Sequence, residues 1–132
     1  MKIKITGIGS YIPEMKVANT DFNKHVFLNE DGSPFGYPNE VVIQKFKSIT
    51  GIDQRRYAAK DQCASDLAFL ASIKAIENAR IDPETIDYII FAHNFGDVKY
   101  GSKQPDIIPS LATRVKHKLQ IKNPKCVAYD IL

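Results

Sequence analysis

The sequence is sparing with the residues that usually announce chemistry. It has no tryptophan, two cysteines and three histidines in 132 residues. Cys63 and Cys126 stand far apart, with no CxxC motif and no metal-ligand spacing, which argues against a thiol redox centre or a cysteine-held metal. Both sit in apolar surroundings and are expected as buried free thiols in a reducing compartment. No apolar run approaches the roughly 18 residues that a membrane span needs. The start, Met1-Lys2-Ile3-Lys4-Ile5, is charged and alternating, unlike a signal peptide. A cytoplasmic chain is expected, with no membrane partner. Gly7-Ile8-Gly9 lacks the third glycine of a dinucleotide fingerprint, since Ile12 and Pro13 stand where it would fall. The pair reads instead as a tight turn. No carboxylate pair, metal cluster or Ser-His-Asp arrangement can be assembled, so neither a metal nor a cofactor is expected.

What is present is ordinary globular material. The chain is 44% hydrophobic and 25% charged, and its length is that of one domain, enough to bury about two-thirds of the unfolded surface. A formal net charge of +3 is too mild to imply nucleic acid. The charge is uneven, however. Between Lys99 and Lys125 lie seven basic residues (Lys99, Lys103, Arg114, Lys116, Lys118, Lys122, Lys125) against one acid, Asp106. Such a run reads either as a solvated helix face or as a patch for an acidic partner or a phosphate group.

Periodicity supplies the elements. Residues 2–9 alternate and read as a strand closed by Pro13. A short helix starts near Asn19 or Thr20, with Asp21 favourable in its first turn. Residues 29–39 are a dense turn cluster and read as a surface loop. Residues 40–49 suit a helix with Val42, Ile43, Phe46 and Ile49 on one face. The strongest helix is Asp61 to Arg80. Ala64, Leu67, Ala68, Ala71, Ala75 and Ala79 form a small-residue stripe whose alanines permit close approach of another backbone. Phe69, Leu70, Ile73 and Ile76 widen the apolar arc enough to predict cover on more than one side. Ile86 to Ala92 reads as a strand buried on both faces. His93 to Asp106 is a loop. A further helix begins near Pro109, with Leu111, Ala112, Val115 and Leu119 inward and Arg114, Lys116 and Lys118 outward. Cys126 to Leu132 reads as a buried strand that runs to the last residue, which suggests a fragment cut at an internal boundary. This order predicts an α/β domain with a mainly parallel sheet and flanking helices.

The histidines give little. His25 and His117 fall on surface helices. His93 follows the carboxyl end of a parallel strand, where ligands of open α/β sheets bind, although a hydrogen-bonded loop histidine is the plainer reading.

The landmarks in order resemble a known family. Ile5-Thr6-Gly7-Ile8-Gly9-Ser10-Tyr11-Ile12-Pro13-Glu14 and Asn19-Thr20-Asp21-Phe22 are similar to the amino terminus of β-ketoacyl-acyl-carrier-protein synthase III. Thr50-Gly51-Ile52 with Arg55-Arg56, Ser65-Asp66-Leu67-Ala68, Ala79-Arg80-Ile81-Asp82, Ile86-Asp87-Tyr88-Ile89-Ile90, Ile108-Pro109-Ser110 and Ala128-Tyr129-Asp130 continue in register. The resemblance implies the amino-terminal part of a thiolase-like α/β/α fold, with residues 1–132 as a single truncated domain lying before the catalytic cysteine. It implies a condensing enzyme of fatty acid biosynthesis, an acyltransferase that joins an acyl primer to a malonyl group on acyl carrier protein, usually as a homodimer. A cysteine holds the acyl group as a thioester, and a histidine and an asparagine assist decarboxylation and stabilise the oxyanion. Neither Cys63 nor Cys126 matches that nucleophile, so no catalytic residue is assigned and the fragment is expected to be inactive.

The family places Ile108 at the position that closes the acyl pocket. An aromatic stands there in well-studied members, so Ile108 leaves room for a branched or longer acyl chain. Lys45 and Thr50 fall in the primer region. Members that take coenzyme A hold its adenine with Trp and Arg there; without tryptophan, Lys45 offers phosphate attraction only. Two other readings stand beside this one. One is another thiolase-like enzyme that makes C–C bonds from acyl thioesters, similar to hydroxymethylglutaryl synthase or an enzyme of secondary metabolism. The other is a stand-alone α/β module docking an acidic protein. In the family's strand order, strand 2–9 would also show an open edge and drive self-association.

Overall fold

The computed structural model describes residues 2–132; Met1 lies outside the described residues. The chain packs as two units, Pro13–Tyr57 on one hand and the residues up to Ile12 with Ala58–Leu132 on the other.

In the Pro13–Tyr57 unit, β1 (Met15–Ala18) pairs antiparallel with β2 (Gln54–Tyr57), Met15 opposite Tyr57 and Ala18 opposite Gln54. A 3-10 turn over Asn19–Lys24 follows β1, and Asp21 accepts the Ala18 N–H at 2.7 Å. The expected turn cluster folds back on itself through Asn29 N–H to the Ser33 carbonyl. Then comes α1 (Asn39–Thr50), which ends at Gly51 in the left-handed region, φ 67°. Phe22, His25, Phe27 and Phe46 meet edge-on or tilted, with centroids between 5.0 and 6.1 Å. Such pairs add directional attraction to the burial of their rings. The Arg55 guanidinium lies over Phe22 and Phe46 and donates to Asn19 Oδ1 at 2.7 Å. Ile49, expected on the apolar face, is 79% exposed, because the last turn of α1 runs past this cluster.

The other unit is organised around α2 (Ala64–Ala79) and α3 (Leu111–Lys118). α2 starts three residues later than expected. The Asp66 carboxylate accepts the Cys63 N–H at 2.7 Å and sets the helix start there. Residues 2–9 are not a strand, which corrects the sequence expectation. They run against the alanine stripe of α2. A Cβ on Gly7 would lie 2.6 Å from the Ala75 carbonyl, and one on Gly9 only 2.3 Å from the Ala75 nitrogen. The Ile8 N–H donates to Asn78 Oδ1 at 3.1 Å. The two glycines therefore serve close approach rather than a tight turn. Ile3, Ile5 and Ile8 stay exposed, so alternation here buries no face and no ladder forms.

β3 (Tyr88–Ala92) and β4 (Val127–Ile131) form a parallel pair, Tyr88 opposite Val127 and Ala92 opposite Ile131. The open strand edges of this unit thus belong to β3 and β4, not to residues 2–9. α3 connects the two strands and packs on both. Leu111 and Ala112 are fully buried and Val115 nearly so. Ile89, Phe91, Ala128 and Asp130 form the half-buried side of the pair. The other side carries Tyr88, Ile90, Val127, Tyr129 and Ile131, all exposed. That corrects the expectation of strands buried on both faces: nothing among the described residues covers this side. Arg114 and Lys116 also depart from the outward placement expected. Lys116 Nζ turns in to donate to the carbonyls of Asn123 and Cys126, at 2.9 and 2.6 Å.

Candidate functional site

The chemistry-bearing residues of the larger unit collect where β3 and β4 end and α3 begins. β4 places Asp130 on the side facing α3. Its carboxylate accepts the N–H groups of Leu111 and Ala112, at 2.7 and 2.8 Å, and lies 3.0 Å from His93 Nε2. Two of the donors that every helix start leaves unpaired are satisfied this way. His93 Nδ1 accepts from the Gly96 N–H at 2.9 Å, so the ring proton sits on Nε2 and points at Asp130. Burial opposes the charged form of Asp130. The Ala112 N–H, His93 and the Leu111 N–H together outweigh it and hold the carboxyl below its usual range. Both ring nitrogens and both carboxylate oxygens are engaged. Three of the carboxylate's roughly four acceptor sites are used, and the pair positions structure.

A second network fixes the loop between β3 and α3. Asp97, 4% exposed, accepts the Ser65 N–H and hydroxyl at 2.8 and 2.6 Å and Arg114 Nη1 at 3.0 Å. Arg114 also reaches Asp106 at 2.7 Å and donates to the carbonyls of Ile108 and Pro109 at 3.0 Å each. A planar guanidinium can serve this many acceptors at once where an ammonium cannot. The hydrogen bond to Asp106 is the main reason that Arg114 holds its proton more tightly than usual. Ile108 rides on this clamp with its side chain 81% exposed.

The other residues singled out from sequence lie in the smaller unit. Lys45 and Thr50 are both on α1, five positions and so roughly 140° apart around the helix. Lys45 Nζ sits 5.2 Å over the Tyr37 ring. Thr50 Oγ1 caps its own helix, donating to the Phe46 carbonyl and accepting the Ile52 N–H. The two side chains are not brought together. Cys126 is buried, and Cys63 is half-buried beside Val98. Desolvation first, then Asp97 and Asp66, push the Cys63 thiol up, which keeps it protonated and a poor nucleophile. Among the described residues no group of three or more His, Cys, Asp or Glu is placed to hold a metal. No helix there is long and apolar enough to cross a membrane.

No family model matches the chain. Comparison with curated proteins is more telling. Over 124 residues the chain is 36% identical to beta-ketoacyl-[acyl-carrier-protein] synthase III of Fusobacterium nucleatum, covering 94% of this chain and 31% of that protein. By sequence, nearly the whole chain is similar to the amino-terminal third of synthase III proteins. It spans about a third of the length of the curated relatives it matches. The crystal structure of 3-oxoacyl-[acyl-carrier-protein] synthase III from Aquifex aeolicus matches 97% of this chain and 34% of its own, with 28% identity and a TM-score of 0.65. OleA of Xanthomonas campestris, 20% identical, covers 99% of this chain and 34% of its own at a TM-score of 0.73, and shows the fold alone. The fold is thiolase-like, as the sequence landmarks implied.

Sequence reasoning had His93 as a hydrogen-bonded loop histidine, which the structure bears out; it missed Asp130 as its partner and the Arg114 clamp. Asp130 had a visible signal, a lone carboxylate inside an apolar strand, which must find partners. Arg114 had none, since helical spacing gives its direction but not the loop folded over it.

Proposed function

We propose that this chain is the amino-terminal part of a synthase III-like condensing enzyme of fatty acid biosynthesis, and that residues 1–132 form one truncated domain, inactive alone. The observation that supports this reading is the 36% identity to a protein of that name across nearly the whole chain. The reaction joins an acyl primer to the malonyl group of malonyl-acyl carrier protein. A cysteine thioester holds the primer, loss of carbon dioxide leaves an enolate, and the enolate carbon displaces the thiolate to make the C–C bond.

The chain's own share of that work is scaffolding. Asp130 fastens the end of β4 to the start of α3, and the Arg114 clamp holds the segment that carries Ile108. Ile108 borders the acyl pocket and leaves room for a branched or longer chain. Thr50 and Lys45 belong to the primer region. Lys45 supplies a cation whose aromatic neighbour is Tyr37 rather than a tryptophan, so coenzyme A would be held there chiefly by phosphate attraction. Acyl carrier protein and a second copy of the enzyme are its partners, and its compartment is the cytoplasm. The exposed side of the β3–β4 pair fits this reading better than it fits a self-sufficient docking module.

The test is a mass-shift assay of the chain incubated with acyl thioesters. No stable adduct is expected. An acyl thioester on Cys63 or Cys126 would overturn the assignment of the nucleophile to another part of the protein.

A further inference from the structure

Once sorted by partner, the basic run of the sequence leaves a charged cleft that the condensing reaction does not use. The cleft has a volume of about 780 Å3 and lies where α2 begins, between the 97–100 segment and α3. Its floor is rigid, because Ser65, Asp97 and Arg114 satisfy one another there. Two of its cations are already neutralised: Arg114 by Asp97 and Asp106, and Lys118 by Asp66 at 2.8 Å. Lys60 and Lys99 also line the cleft and pair with no carboxylate among the described residues, and Asp61 is the one lining acid left without a cation. Lys60 Nζ lies 4.9 Å over the Tyr100 ring, which is itself 70% exposed. His117 and Thr113 line the same space, the Thr113 hydroxyl being paired with that of Ser110 at 2.7 Å, and Pro109 and Cys63 supply apolar wall.

We propose that this cleft binds a small organic phosphate whose non-phosphate part is planar or apolar. The size suits a drug-sized ligand. Two ammonium groups without a carboxylate partner and an imidazole match a group that carries up to two charges and three strong acceptor oxygens. A carboxylate would use fewer of them. The Tyr100 face and the Pro109 ring give the rest of the ligand a surface to cover. The remaining basic residues of the run point elsewhere: Lys116 is spent on backbone carbonyls, and Lys103, Lys122 and Lys125 do not line the cleft.

The probe is phenyl phosphate, titrated into the isotope-labelled chain and followed by amide chemical shifts. Saturable shifts are expected at Lys99, Tyr100, Thr113 and His117, with inorganic phosphate weaker and phenol weaker still. The K60A/K99A double variant, both positions exposed, loses about tenfold in affinity, and Asp61→Asn gains roughly threefold by removing the repelling charge. The K103A/K122A control keeps its affinity. Shifts that never saturate, phenol binding as well as phenyl phosphate, or an equal loss in the control would each overturn the proposal.

Discussion

In the unit built on α1, three phenylalanine rings, a histidine and the Arg55 guanidinium surround one another. In the unit built on α3, the interior is Leu111, Ala112, Val115, Ile121 and Cys126, and carboxylates join the elements: Asp130 at the helix start, Asp97 beneath the loop, Asp66 at the start of α2. Ring packing tolerates small shifts. A buried carboxylate with three donors specifies one geometry, and it fails abruptly when a partner is lost. The difference places geometric precision in the unit that proposes to carry the acyl-pocket residue.

The largest effect should come from Asp130→Ala. It strands the His93 Nε2–H and two helix N–H groups, at a cost of about 3–5 kcal/mol, the range for breaking a buried charged partnership. Denaturant titration with amide exchange at Leu111 and Ala112 measures it. An effect near zero there would dissolve the contrast between the two units. Acid gives the reversible version. The folded Asp130 carboxyl sits below its ordinary value, so its stabilisation is complete above the unfolded pKa of about 3.9 and is lost as pH falls through the folded one. Exchange at α3 should accelerate below about pH 4 before exchange in α1 does.

Phe46→Ala is next, at roughly 2–3 kcal/mol for a half-buried ring with two edge contacts, read from exchange within α1. Gly9→Ala forces a Cβ into the α2 backbone and should cost about 1–3 kcal/mol. Its signature is faster exchange at Ile8, whose N–H is held by Asn78. Ser110→Ala is smallest, about 1 kcal/mol, because it removes one capping acceptor from Thr113 N–H.

Much of the fold was legible because helical period and apolar runs report burial directly. α2, α3, β3 and β4 all lie within the spans read from the sequence, and the alanine stripe does accept a backbone. β1 and β2 were invisible: four residues each, rich in Lys and Arg, with no alternation to read. Residues 2–9 misled for the opposite reason. Lys2 to Ile5 alternate, but Gly7 and Gly9 commit the segment to a helix surface, and a strand without a buried face gains nothing from its pattern. At the site, the pocket role proposed for Ile108 rests on the resemblance alone. The Asp97–Arg114 clamp joins residues 17 positions apart through a loop whose path no local pattern encodes.

The bare side of the β3–β4 pair has a thermodynamic consequence. Tyr88, Ile90, Val127, Tyr129 and Ile131 are already hydrated in the native chain, so unfolding adds little new contact between these side chains and water. The heat capacity change on melting should therefore fall below the roughly 12–15 cal/mol/K per residue of ordinary domains. Stability would then vary gently with temperature, with a broad melting transition and no pronounced cold-side decline. Anything that seats itself on those five side chains would steepen the curve.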